Sequence, residues 1–158
     1  MLKTNDQLFS KEINYCLKLL KIRPRSACEL AERLKQKSAA PDAVKKILAY
    51  LGDRGLIDDV QFARTWTAWR IDRGYGQYRV RAELTEKGVP GPIISKVLGQ
   101  ALKEYDEEKA ARTIAQKRIK RYANLEPAVV QRRIYGFLVR KGFSQHIALR
   151  IVRTYDDP

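Results

Sequence analysis

The side chains best suited to binding chemistry lie between residues 73 and 87, where basic residues alternate with tyrosines. Tyrosine rings can stack on bases, and neighbouring arginines and lysines can pair with phosphates. We therefore predict a contact surface that consists of Arg73, Tyr75, Tyr78, Arg79, Arg81 and Lys87. The alternative is a solvated helix face, in which Arg79 pairs with Glu83 four residues further on.

A second group of basic residues lies further along the chain and provides an alternative contact surface. It consists of Arg118, Lys120, Arg121, Arg132 and Arg133. If the first group does not contact the partner, the interaction is expected here.

Residues that could support catalysis are few. Asp58 and Asp59 could form a carboxylate pair, but their position at a predicted helix start explains them through the helix dipole. His146 is the only histidine and has no predicted ligand partners. Phosphate-binding loops, dinucleotide fingerprints and zinc-ligand spacings are absent from the sequence. We predict a protein without catalytic residues, cofactor or metal, and therefore not an enzyme.

The composition favours an anionic partner. The 158 residues carry a formal net charge of +14, with basic residues spread over the whole length, and 44% of the residues are hydrophobic. This hydrophobic content excludes global disorder, and the charge is typical of proteins that bind nucleic acid or a complex containing it. A merely basic globular protein is the alternative interpretation. No apolar window reaches the length of a membrane span and no signal peptide begins the chain, so we expect a cytoplasmic location.

The two cysteines do not indicate a disulfide framework. Cys16 lies on an apolar helix face and is interpreted as a small core residue. Cys28 is predicted to be a thiol on a helix surface. We expect no chemistry from either residue.

A recurring turn indicates internal repeats. Gly88 is predicted to end a helix in the left-handed conformation, with Leu84 and Val89 as the two apolar residues that touch across the turn. The segment Leu138–Phe143 repeats this pattern around Gly142. A third copy, Leu34–Ala39, has serine at the glycine position.

Three groups of aligned apolar residues divide the chain into units of three helices with a period near 50 residues. The first helices superpose Cys16, Ala63 and Ala111; the second, Leu34, Leu84 and Leu138; the third, Ile47, Val97 and Ile151. We predict an all-α fold of three tandem three-helix, helix-turn-helix-like repeats in an elongated, curved array. The predicted boundaries are an N-terminal extension at 1–9 and repeats at 10–57, 58–105 and 106–158.

Local signals place several helix ends. Ser26 and Glu29 form a capping box, and Asp58 with Gln61 has the same spacing. Trp66 is predicted to lie in the core. The segment 104–108 contains neither glycine nor proline, so the helices of the second and third repeats are expected to run nearly continuously.

The turn before each third helix is also compatible with a helix-turn-helix DNA-binding unit. The third helices nevertheless begin with apolar and neutral residues, as in the segments 90–94 and 144–147. Base readout in the major groove therefore has little support, and contacts with an anionic backbone are favoured.

Three segments resemble the RecX family of regulators of the RecA recombinase. They are RPRSACEL (residues 23–30), GLIDDVQFA (55–63) and RGYGQYRVRAELTEKGV (73–89). The resemblance covers residues 10–155. It implies a curved array of three-helix repeats that binds the groove of the RecA–DNA filament and inhibits ATP hydrolysis and strand exchange.

The resemblance implies a non-enzymatic negative regulator acting in DNA repair and the SOS response. The expected partner is the RecA filament, with single- or double-stranded DNA contacted weakly or through the filament, and we expect a monomer. The alternative is a stand-alone DNA-binding regulator built from helix-turn-helix-like repeats.

Overall fold

The structure, a computed structural model, describes residues 9–122 and 124–154, and these residues contain nine α-helices and no strand. A short 3₁₀ turn at Lys120–Tyr122 follows the seventh helix. The all-α prediction is confirmed, with three helices in each predicted repeat. The helices are α1 (Ser10–Ile22), α2 (Ala27–Gln36), α3 (Pro41–Asp53), α4 (Asp59–Asp72), α5 (Gln77–Glu86), α6 (Gly91–Glu104), α7 (Glu107–Ile119), α8 (Pro127–Lys141) and α9 (Gln145–Arg153).

The predicted helix stop at Gly88 is present. Gly88 has a φ of +69°. Its N–H donates to the carbonyl of Thr85 at 2.9 Å, and the N–H of Val89 donates to the carbonyl of Leu84 at 3.0 Å. This pair of hydrogen bonds is a Schellman motif, which satisfies carbonyls that the helix end would leave unpaired.

The same motif ends the second helix of the other two repeats. Gly142 has a φ of +92° and Ser38 a φ of +62°. The N–H of Phe143 donates to Leu138 at 3.2 Å, and that of Ala39 donates to Leu34 at 3.1 Å. Serine therefore adopts the strained conformation that glycine provides elsewhere, and the first repeat keeps the geometry of the turn.

The aligned core positions are buried alike in the three repeats. Cys16, Ala63 and Ala111 are fully buried, as are Leu34, Leu84 and Leu138. The third helices bury Ile47, Val97 and Ile151. The register deduced from apolar spacing is confirmed, because equivalent positions on each helix face the interior.

The chain divides into two compact units. Of the described residues, the first consists of 9–64 together with 84–94, and its core is built by α1, α2 and α3 around Leu30, Ile47 and Leu51. The second consists of residues 65–83 and from 95 onward. Its core lies between α7, α8 and α9.

Side chains cap several helix N-termini. Ser26 and Glu29 form the predicted capping box, with the Ser26 hydroxyl accepting from the Glu29 N–H at 3.1 Å. Asp58 accepts from the Gln61 N–H at 3.1 Å. The expectation of a nearly continuous helix across 104–108 was wrong, because α6 ends at Glu104 and Asp106 caps α7. A carboxylate that accepts a first-turn N–H favours a new helix start over continuation.

Candidate functional site

A buried ion pair forms the centre of the predicted contact region in the second compact unit. Glu83 on α5 is 8% exposed. Its carboxylate accepts hydrogen bonds from both sides of the Arg70 guanidinium, with a distance of 2.6 Å from Nε. The Trp66 indole donates to Glu83 at 3.0 Å, and Arg79 Nε donates at 2.9 Å. Three donors from two helices thus fix one carboxylate.

This network keeps Glu83 ionised. Burial alone would raise the pKa of its carboxyl, but hydrogen bonds from Arg70, Arg79 and Trp66 outweigh burial, and the pKa is lowered. The pKa of Arg70 is raised chiefly by its hydrogen bond to Glu83. The two charges therefore offset each other, and the remaining positive charge of the region comes from side chains around them.

Aromatic rings surround the Arg70 guanidinium. Its central carbon lies 4.0 Å from the ring centre of Tyr75 and 5.2 Å from that of Trp69. Lys141 Nζ lies 3.9 Å from the Tyr75 ring centre, and Arg73 lies 4.0 Å from that of Trp69. Cations and rings at these distances attract each other, by roughly 0.5–1 kcal/mol at exposed sites, so the contacts favour this arrangement. We call Trp69, Arg70, Arg73, Tyr75 and Lys141 the basic-aromatic cluster.

Four of the six predicted contact residues are exposed. They are Arg73, Tyr78, Arg79 and Arg81. Tyr78 is 57% exposed and Trp69, which was not in the predicted set, is 42% exposed. Arg81 donates to the Ser95 hydroxyl at 3.3 Å. These side chains present cations and flat rings to solvent in one stretch of the fold.

The other two predicted contact residues have structural contacts. Tyr75 is half-buried within the basic-aromatic cluster. Lys87 belongs to the first compact unit, where its side chain is 20% exposed and lies 3.3 Å from the Glu29 carboxylate. Lys87 follows the last residue of α5, and its carbonyl accepts from the Ser26 hydroxyl at 2.5 Å. Its principal contacts therefore join α5 to α2.

The second basic group lies around the end of α7 and along α8. Arg118 Nε donates to the Tyr122 hydroxyl at 3.0 Å, and its guanidinium lies 5.1 Å from the Phe137 ring centre. Arg133 lies 5.4 Å from the ring centre of Tyr122. Lys120, Arg121 and Arg132 are exposed. Arg118 and Arg133 thus both contact Tyr122.

The carboxylate pair at the start of α4 caps helices. Asp58 accepts N–H groups of its own helix, whereas Asp59 Oδ1 accepts the N–H of Ala27, the first residue of α2, at 2.8 Å. His146 is exposed and contacts Arg150 at 2.8 Å. Across the described ranges, no three histidine, cysteine or acidic side chains group as a metal site would require.

The cysteines also match their interpretations. Cys16 is buried, and burial raises the pKa of its thiol to about 11. Such a thiol is protonated at neutral pH and unreactive as a nucleophile. Cys28 is exposed on α2.

Sequence reasoning did not identify the Arg70–Glu83 pair or the role of Trp66. Trp66 is half-buried, so the prediction of a core tryptophan was wrong in part, because its indole N–H serves Glu83. One signal was available, since Arg23, Arg70 and Arg118 occupy equivalent positions at the C-terminal ends of the first helices. All three are half-buried and contact the second helix of their repeat, at Glu29, Glu83 and Phe137.

Among the helices of the described residues, none is both long and apolar enough to cross a membrane. The fold and the site define an all-helical, strongly basic protein of three related three-helix domains, in which the carboxylates of Glu29, Asp58, Asp59 and Glu83 form caps and ion pairs. Models of the RecX family match all three domains: the first at residues 13–51, the second at 58–98 and the third at 106–152. The chain belongs to the RecX family.

Curated relatives and solved structures agree with this assignment. A regulatory protein RecX from Amycolatopsis mediterranei is 30% identical over 94% of this chain and 85% of its own length. One from Mycobacterium sp. (strain KMS) is 36% identical over 87% of this chain and 78% of its own length. The crystal structure of RecX from Lactobacillus salivarius has a TM-score of 0.80 and 25% identity, covering 94% of this chain and 96% of that one. The protein therefore has the fold of RecX and belongs to a family of regulatory proteins.

Proposed function

We propose that this protein is a non-enzymatic negative regulator of RecA in DNA repair and the SOS response. It acts in the cytoplasm, binds the groove of the RecA–DNA filament and slows ATP hydrolysis and strand exchange. Membership of the RecX family supports the regulatory role. The observation that carries the proposal is the set of exposed cations and rings on α4, α5 and the loop between them.

The exposed members of this set are suited to an anionic groove. Arg73 and Arg81 are exposed, and their planar guanidinium groups can each make two parallel hydrogen bonds to a carboxylate or a phosphate. Trp69 and Tyr78 add exposed rings, and Arg73 lies 4.0 Å from the ring centre of Trp69. Arg79 donates to the carboxylate of Glu83, whereas Arg81 donates to the neutral hydroxyl of Ser95 at 3.3 Å. We therefore assign the main contacts to Trp69, Arg73, Tyr78 and Arg81.

Co-sedimentation with RecA filaments assembled on single-stranded DNA tests this surface. The variant Arg73→Glu/Arg81→Glu should bind filaments much more weakly, since two favourable charge contacts become unfavourable. Lys45→Glu/Lys46→Glu is the matched control, because it makes the same charge change on exposed positions of α3. If the test variant binds filaments as well as the wild type does, the contact surface lies elsewhere. The same conclusion follows if the control variant loses as much affinity as the test variant.

A measurement of duplex DNA binding in the absence of RecA distinguishes the proposed function from the alternative one. A stand-alone DNA-binding regulator would select a particular duplex sequence in the absence of RecA. The proposed regulator should show no such selection, and sequence-selective binding would contradict it.

A further inference from the structure

A further set of basic side chains, distinct from the two predicted groups apart from Lys87, surrounds a groove in the first compact unit. The groove has a volume of about 280 Å³, and its basic lining consists of Arg23, Arg25, Arg33 and Lys87. All four lie within one compact unit. None of the roles described above explains why Arg25 and Arg33 lie beside two other cations.

The acidic side chains of the groove are largely engaged by other cations. Glu29 accepts from Arg23 at 2.8 Å and lies 3.3 Å from Lys87. Glu32 lies 2.7 Å from Lys35, which does not line the groove. The exposed carboxylate of Glu86 completes the rim. Among the described residues, Arg25 and Arg33 therefore form no ion pair with Glu29 or Glu32, and Arg33 donates to the neutral Gln36 side chain at 3.3 Å.

Arg25 carries the clearest sign of a missing partner. Its Nε is buried and makes no hydrogen bond to any described residue. Burial is the main cause that lowers the pKa of this guanidinium, and the positive charges of Arg23 and Arg33 lower it further, while the Glu29 carboxylate acts in the opposite direction. A half-buried cation with an unsatisfied donor and like charges beside it favours an incoming anion.

We propose that this groove binds a phosphate group, held by Arg25 and Arg33. Guanidinium groups match tetrahedral oxyanions through paired N–H donors, so two of them can share one phosphate. The volume is below the range of about 300–1,000 Å³ that is usual for small-molecule pockets, so it suits a single oxyanion. The phosphate comes from free inorganic phosphate or from a nucleic-acid backbone. The site stands on the geometry of the first unit and does not depend on the proposed action on RecA.

Titration of ¹⁵N-labelled protein with inorganic phosphate, at constant ionic strength, tests the site through the arginine side-chain N–H signals and the backbone N–H signals of α2, which the variants retain. Saturable shifts should appear at Arg25 and Arg33. Arg25→Gln/Arg33→Gln should weaken binding about tenfold or more, because two charge-assisted donors are lost. Lys45→Gln/Lys46→Gln, with the same loss of charge outside the groove, should bind as the wild type does.

A further variant keeps both arginines in place. Glu86→Gln removes a negative charge from the rim and should tighten phosphate binding roughly two- to fivefold, as expected for a nearby, partly screened charge. Absence of saturable shifts at the two arginines would overturn the proposal. Equal losses in the arginine and lysine variants would also overturn it, as would unchanged affinity in Glu86→Gln.

Fluorescence anisotropy of a labelled oligothymidylate, without RecA, distinguishes the sources of the phosphate. If the arginine variant weakens oligonucleotide binding in parallel and flattens its salt dependence, the phosphate belongs to a nucleic-acid backbone. If only inorganic phosphate binding is lost, the ligand is the free anion. Either result supports the site, and neither bears on the action on RecA.

Discussion

Glu107 caps a helix of the preceding repeat: its Oε1 accepts the backbone N–H of Gln77 at 2.8 Å, and its Oε2 accepts Gln77 Nε2 at 2.9 Å. Asp59 does the same one repeat earlier, accepting the N–H of Ala27 at 2.8 Å. The first residue of α4 and that of α7 therefore each cap the second helix of the repeat before them. These caps use acidic side chains to join consecutive repeats.

Removing either cap should destabilise the fold. Glu107→Ala and Asp59→Ala each leave a helix-terminal N–H unpaired, and each should lower the free energy of unfolding by about 1–2 kcal/mol. Chemical denaturation followed by circular dichroism measures this change. Glu104→Ala, which removes an exposed carboxylate at the end of α6, is the control and should be nearly neutral. Equal stability of all three variants would mean that the caps contribute nothing.

Gly88 should tolerate no side chain. Its φ of +69° is strained for other residues, and an added Cβ would overlap Cys28 Sγ and Cβ. Gly88→Ala should therefore cost about 2 kcal/mol or more, combining the conformational penalty with the clash. Gly99→Ala is the matched control, since nothing lies within 4 Å of its added Cβ on α6. It should stabilise the protein by about 0.5–1 kcal/mol. Melting temperatures that rise for both variants would contradict this account of the turn.

Glu29 should make the stability depend on pH in the acidic range. Burial opposes ionisation of its carboxyl, but hydrogen bonds from Arg23 and Ser26 and the charge of Lys87 lower its pKa from 4.5 to about 2. Because the folded state favours the ionised form, this stabilisation is complete above pH 4.5 and is lost as the pH falls toward 2. Glu29→Gln should lower the melting temperature at pH 7 and flatten its decline between pH 4.5 and 2.

The exposed Glu32 provides the control for this pH dependence. Glu32→Gln should reproduce the wild-type decline in melting temperature on acidification. If Glu29→Gln also shows the wild-type decline, the ion pairs of Glu29 do not stabilise the fold.

Features set by local chain geometry could be predicted from the sequence. The turn at Gly88 depends on residues within six positions, and its two hydrogen bonds occur where the spacing of Leu84 and Val89 placed them. The capping box at Ser26 is equally local. The buried face of each helix followed from apolar spacing, because side chains three and four residues apart share one side of a helix.

Contacts between helices could not be predicted in this way. The pair Arg70–Glu83 and the cap from Asp59 to Ala27 join residues 13 and 32 positions apart, and nothing in their spacing specifies which side chains meet. The sequence does not tell whether a charged side chain on a helix is solvated or paired with another side chain. Tertiary packing decides between these two outcomes. The break between α6 and α7 could have been predicted locally, because Asp106 is a residue type that favours the start of a helix. The prediction considered only the absence of glycine and proline from this segment.

The rate of ATP hydrolysis by RecA on single-stranded DNA tests the central claim most directly. The protein is added in substoichiometric amounts to preformed RecA filaments, and the hydrolysis rate is compared with that of RecA alone. A negative regulator that binds the filament should lower the rate progressively as it is added, while showing no ATP hydrolysis of its own. An unchanged rate at equimolar protein, with the helical fold intact, would contradict the proposed function.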